Sequence, residues 1–198
     1  MSVFTDASAT VFVADHAVTE SNGKIHALGV GFRITGIGPN GLAPAQAVVV
    51  LIDAPARYAG QEFPISLDLR DAATNQVVKM PGPTGVPDSL RIQQIVKAEP
   101  LIMPGVYLPS TLGCRIQLVL NFPTGLQLQP GVTYRWHLEI EGQTRPGWFA
   151  EFHVAGPPPQ PVIGGPADPP SEAMPPLTEY RVPPLDASTS TLPEENGE

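Results

Sequence analysis

Cysteine is almost missing from this chain of 198 residues, which holds Cys114 alone. An internal disulfide framework is therefore excluded. Charge is sparse as well: Asp, Glu, Lys and Arg make up 15% of the residues, against about 25% in ordinary soluble domains. Only 11 residues are basic. A nucleic-acid binder needs a basic stripe and a protein that docks on anionic lipid needs a polybasic segment; neither is present, so no nucleic-acid or membrane partner is expected. No apolar run approaches the about 18 residues of a membrane span. The opening Met1-Ser2-Val3-Phe4-Thr5-Asp6 has neither the cationic region nor the apolar stretch of a secretory signal. The expected setting is the cytoplasm, or a virion or other particle assembled there. Metal-ligand spacings are missing too, with no HxH, HExxH or CxxC. No metal or cofactor is expected. No serine sits in a nucleophile elbow, and Gly29-Val30-Gly31 lacks the following helix that would make it a phosphate cradle.

Helical period is absent from every window of ten or more residues, whereas period two recurs along the chain. The clearest stretch is 112–154. Leu112, Cys114, Ile116, Leu118, Leu120 and Phe122 share one parity, then Val132, Tyr134, Trp136, Leu138 and Ile140, then Trp148, Ala150, Phe152 and Val154. Successive side chains of a strand point to opposite faces, so each run predicts a strand with one buried face. Pro-Gly turns separate the runs, and the simplest expectation is a three-stranded antiparallel meander. Cys114 lies on the apolar parity and reads as a small buried hydrophobe.

Upstream, residues 10–20 are apolar on both parities, which suits a strand covered on both sides, near the middle of a sheet. Ser21-Asn22-Gly23 predicts a hairpin turn into a strand over 24–35. Gly29 and Gly31 within it predict close backbone approach or a bulge. Residues 47–54 are almost wholly apolar and β-branched, a buried strand. Residues 62–71 alternate cleanly, and 90–97 form a weaker strand. Loops rich in Gly and Pro cover 36–44, 81–87 and 100–110. The sum is an all-β antiparallel β-sandwich of eight or nine strands over residues 1–154, immunoglobulin-like or jelly-roll in topology.

From Ala155 the composition changes. Twelve of the 25 prolines fall in the last 44 residues, and seven of the 19 acids face Arg181 alone there. That accounts for −6 of the net charge of −8. Such a segment cannot offset its chain entropy by burial and is expected to be a disordered or extended arm over 155–198. Within it Pro175-Pro176-Leu177 recurs as Pro183-Pro184-Leu185, with Tyr180 and Val182 between. Stiff proline segments lose little entropy on docking, so these eight residues are the candidate partner-binding set.

Side chains suited to catalysis are scattered. Asp15 and His16 with His26, on two strands expected to be neighbours, could make a small acid–base site. Glu139, Glu141 and Glu151 could pair as carboxylates on an outer face, and Arg135, His137, Glu151 and His153 could form a polar ladder there. Trp136 and Trp148 take the core parity, which leaves Phe149 and Tyr107 as candidate exposed aromatics for a carbohydrate.

The pattern Ala14-Asp15-His16-Ala17 followed by Gly23-Lys24-Ile25-His26-Ala27-Leu28-Gly29-Val30-Gly31-Phe32 resembles the opening of an uncharacterised bacterial and phage-borne β-domain family of actinobacterial type. Pro130-Gly131-Val132-Thr133-Tyr134 with Glu141-Gly142 is similar to its late strand pair. The resemblance covers roughly residues 10–154. It implies the fold and a phage or actinobacterial setting, and it carries over no catalytic residue. The leading expectation is a non-enzymatic structural or interaction module, self-associating or binding another protein, whose arm contacts a neighbouring subunit. The alternative is a small-ligand or carbohydrate-binding sandwich with the three Gly/Pro-rich loops as its rim. An enzyme using Asp15, His16 and His26, or Glu139 and Glu151, stands third.

Overall fold

The computed structural model describes residues 2–21, 23–81, 86–100, 109 and 112–156. Twelve strands lie among them: β1 (Ser8–Ala14), β2 (His16–Thr19), β3 (Ile25–Leu28), β4 (Ile34–Thr35), β5 (Gln46–Ala54), β6 (Glu62–Asp71), β7 (Lys79–Pro81), β8 (Pro87–Ser89), β9 (Arg91–Lys97), β10 (Cys114–Phe122), β11 (Thr133–Ile140) and β12 (Phe149–Val154). Several of the pieces are two to four residues long, too short for alternation to reveal. Two 3₁₀ turns, Val3–Thr5 and Ala56–Tyr58, lie among the described residues, the second in the predicted connection after β5.

Two sheets form an all-β sandwich. One has the order β1-β5-β10 and the other β4-β12-β11-β6-β9. Every pairing in them is antiparallel except β4 against β12. With the short β2, β3, β4, β7 and β8 set aside, β1, β5 and β10 are the first, second and fifth strands and face the remainder, which is the immunoglobulin-type order rather than that of a jelly roll. Tyr134, near the start of β11, supplies a further mark of that fold: its Oη accepts the Gln129 N–H at 2.9 Å across the preceding corner.

Apolar parities explain the layers. Val11 and Val13, Val48, Val50 and Ile52, and Cys114 and Ile116 face inward from the first sheet. Phe63, Ile65, Leu67 and Leu69 meet them from β6, with Tyr134, Trp136, Leu138 and Ile140 from β11. Phe122 and Trp136 stack across the gap with ring centres 5.3 Å apart. The second parity of β1 and β5 is apolar too, with Ala14, Ala47 and Val49 buried. The β2–β3 hairpin covers that face with Ala17, Ile25 and Ala27. Asn121 of β10 holds it down, its Nδ2 donating to the Ala17 carbonyl at 2.9 Å.

Three expectations need correcting. Residues 112–154 are not a meander: β10 pairs with β5, while β11 pairs with β6 and β12. Ten residues between β10 and β11 suffice to change sheets, and alternation reports faces but not partners. Residues 10–20 are not one central strand. They break at Asp15, and β1 lies at a sheet edge whose outer face the hairpin covers. Residues 24–35 also divide, because Gly29 and Gly31 adopt φ of +63° and +75° and turn the chain. At Gly29 a Cβ would meet the Asp15 carboxylate, so the predicted close approach is there. The arm from 157 onward lies outside the described residues.

Tyr134 is almost wholly buried, and Tyr134→Phe leaves the Gln129 N–H without its partner. The variant should lose about 1 kcal/mol of stability, measured as a lower denaturant midpoint at unchanged slope. An unchanged midpoint would show that the corner contributes nothing.

Candidate functional site

The outer face of the five-stranded sheet carries a cluster of hydrogen-bonded polar side chains. Its register sets Asp68 of β6 between Arg91 of β9 and His137 of β11. Asp68 is 1% exposed and His137 9% exposed, an unusual depth for side chains on the solvent parity. Arg70 Nε donates to Asp68 Oδ1 at 2.8 Å and its Nη2 donates to Oδ2 at 3.0 Å. The same Nη2 reaches Glu139 Oε1 at 2.8 Å. Arg91 Nη2 donates to Asp68 Oδ2 at 2.7 Å. His137 Nδ1 stands 3.5 Å from Asp68 Oδ1 and 3.7 Å from Glu139 Oε1, too far or too poorly aimed to make a hydrogen bond.

Burial alone would raise the Asp68 pKa. The guanidiniums of Arg70 and Arg91 that donate to it, with His137 close beside it, outweigh burial and hold the carboxyl well below the usual carboxylate range. Asp68 therefore stays charged at physiological pH and makes a poor general base. Asp68, His137 and Glu139 bring one ligand atom each within 4.8 Å of one another, the composition of a cation site. Charge argues against that use. Both carboxylates already accept from guanidiniums, so an added cation would displace or repel Arg70 and Arg91. The cluster is a closed, charge-balanced network.

The other candidates separate. His16 and His26 both lie on the outward face of the β2–β3 hairpin, opposite Leu28 and Val18 respectively. His26 Nε2 contacts Glu20 Oε1 at 2.9 Å, and Asp15 packs on Gly29 instead of joining them. Glu139, Glu141 and Glu151 have three separate partners. Glu139 binds Arg70, and Glu151 Oε1 accepts from Arg135 Nε at 2.9 Å. Glu141 accepts from Ser2 Oγ and from the Phe4 N–H and anchors the N-terminal turn. Arg135 is the register partner of Glu151, and Glu139 lies four residues farther along β11, about 13 Å away. These two cannot share a proton. Part of the polar ladder is present, as Arg135 with Glu151 and Thr133 Oγ1 3.0 Å from His153 Nδ1. The role of Asp68, Arg70 and Arg91 went unseen in the sequence. The only signal was Asp68 and Arg70 alternating on the polar parity of 62–71.

The expected rim divides between two ends of the sandwich. Residue 41 lies beside Lys79, Pro81 and Pro87 in one shallow depression, and Ala43 N–H bonds to the Leu126 carbonyl. Pro100 instead bridges to Cys114, which pairs with Ala54 at the far end of β5. Eight residue steps of strand, about 26 Å, lie between. Of the candidate aromatics, Phe149 lies under the Arg135 guanidinium at 4.5 Å, and Tyr107 falls outside the described residues. So do Pro175, Pro176, Leu177, Tyr180, Val182, Pro183, Pro184 and Leu185. Cys114 is buried as expected, and burial raises its thiol pKa.

Comparison with known proteins adds little. No family model matches the chain, and no curated protein does. Among solved structures it is similar to the Pseudomonas fluorescens alkylpurine DNA glycosylase AlkC bound to DNA containing an abasic site analog, with 12% identity and a TM-score of 0.32. That match covers 75% of this chain and 31% of the glycosylase chain. Among the described residues no helix is long and apolar enough to cross a membrane.

An acid whose pKa is lower in the folded than in the unfolded chain stabilises above the unfolded value and ceases to do so as pH falls. Asp68→Asn should therefore cost about 3 kcal/mol at pH 7, because it leaves buried guanidinium charge uncompensated. Below about pH 4 the gap to the parent should narrow, because Asp68 of the unfolded parent takes up a proton there while the folded carboxylate stays charged. Denaturant unfolding at pH 7 and pH 3 reads both; equal stabilities at pH 7 would show that the network is not structural.

Proposed function

We propose that the chain is a non-enzymatic contact module, an immunoglobulin-type sandwich that acts by binding protein. Its proline-rich arm would contact a neighbouring subunit of a phage or bacterial assembly. The observation that carries this reading is a division of labour on the surface. Asp68, Glu139 and Glu151 on the outer face of the larger sheet are tied to guanidiniums, whereas large apolar side chains stand free of the core. Leu28 is 70%, Ile34 69% and Ile95 71% exposed. Isolated exposed hydrophobes are ordinary, but here two lie on the outer face of the larger sheet and one on the hairpin that caps the other. The repeated Pro-Pro-Leu supports the arm as the second contact element.

Substitution of both Leu177→Ser and Leu185→Ser tests the arm. Assembly, followed by light scattering or by retention of a partner, should weaken about tenfold or more. The unfolding midpoint of the sandwich should not move. Unchanged assembly would remove the arm from the account.

A further inference from the structure

The larger sheet ends on β9, a seven-residue strand that among the described residues pairs only with β6. Phase fixes which of its backbone groups are taken. Leu69 N–H bonds to the Leu90 carbonyl and Ala98 N–H to the Gln61 carbonyl, so even-numbered residues of β9 bond β6. Arg91, Gln93, Ile95 and Lys97 turn their N–H and C=O groups to the open side. Among the described residues nothing bonds them there. The same four side chains are exposed and lie on the sheet's outer face. Proteins usually blunt such an edge with proline, a bulge, charged side chains or a very short strand; β9 has no proline and an unbroken register with β6, and its charges, Arg91 and Lys97, stand only at its two ends. Beside it Ser66, 8% exposed, keeps an Oγ without a partner in a shallow groove lined by Pro64, Gln93 and Ile95.

We propose that β9 is a self-association edge, pairing antiparallel with β9 of a second copy about a two-fold axis through Ile95. The inference rests on the reading of the chain as a contact module. Three registers near the strand centre keep the hydrogen-bond phase, and side-chain chemistry separates them. Centred on Gln93, Arg91 meets Ile95. Centred on Gln94, Arg91 meets Lys97 twice, two like-charge contacts that destabilise pairing. Centred on Ile95, the two Ile95 side chains meet each other, Gln93 meets Lys97, and Arg91 meets the exposed Glu99 at both ends. Only this register joins opposite charges and covers the most exposed large apolar side chain of the described body. It continues two five-stranded sheets into one of ten.

Light scattering on the full chain should give twice the 21.0 kDa of one copy. Ile95→Asp should weaken the dimer at least tenfold without lowering the unfolding midpoint, since the side chain supports no core. Ile95→Cys decides the register. Directly opposed residues of a hydrogen-bonded antiparallel pair lie about 5.5 Å apart at Cα, within disulfide reach, so this variant should cross-link on mild oxidation and Gln93→Cys should not. Buried Cys114 does not compete. A dimer that survives Ile95→Asp but dissociates with Leu177→Ser and Leu185→Ser belongs to the arm; that overturns the β9 proposal and leaves the contact-module reading standing. A full chain that is monomeric at its highest soluble concentration overturns the proposal as well. Cross-linking through Gln93→Cys alone would overturn the register.

Discussion

The fold depends on a single constraint: β5 is apolar on both faces. Val48, Val50 and Ile52 point one way and Ala47 and Val49 the other, and all five are almost completely buried. A strand of that kind is stable only if something covers each side. The five-stranded sheet covers the first face with Trp136, Leu67 and Leu69. The β2–β3 hairpin covers the second, and the interruptions at Asp15 and at Gly29 and Gly31 follow from that task. The chain must leave β1, fold back over its own sheet, and return to place β4 against β12 in the other layer. The small side chains of Ala17 and Ala27 let the hairpin lie close.

With the core settled, the outer face of the larger sheet becomes the place where polar groups meet. Asp68 lies too deep to be solvated, so its charge persists only because Arg70 and Arg91 converge on it. Arg70 then extends the network to Glu139. Asp68, Glu139 and Glu151 on this face are held by neighbouring guanidiniums, whereas His137 Nδ1 and Ser66 Oγ have no hydrogen-bond partner among the described residues. At the margin the outward N–H and C=O groups of β9 are likewise unpaired among the described residues, beside the exposed Ile95.

Much of the fold was legible in the sequence. The buried parities of 134–140 and 62–71 reappear residue for residue; that of 112–122 holds at Cys114 and Ile116, is only half-buried at Leu118, Leu120 and Phe122, and fails at the exposed Leu112. The almost wholly apolar 47–54 is a buried strand as expected, and it, not 10–20, is the central one. Period two is a local property, and the sequence carries it. Partnership is not local. Nothing in 112–122 reveals that its partner lies some seventy residues upstream, because one face of alternating Leu and Ile suits either sheet. The glycine turns misled for a related reason, since parity has meaning only while the strand is unbroken. The Asp68 cluster was illegible because its members come from three strands, and the register between strands brings them together. The open edge at β9 has the same origin: hydrogen-bond phase follows from pairing with β6, and no composition encodes it.

On the proposal that copies meet at β9, their contact is a property of one edge and one phase, and the phase can be observed directly. Amide hydrogen exchange of the full chain at high and low protein concentration would read it residue by residue. If β9 pairs with a second copy, the amides of Gln93, Ile95 and Lys97 are protected at high concentration and exchange rapidly on dilution. Those of Ile92, Gln94 and Val96, bonded to β6, stay protected at both. Protection of the odd-numbered amides that does not change with concentration, or its absence at every concentration, would contradict the account.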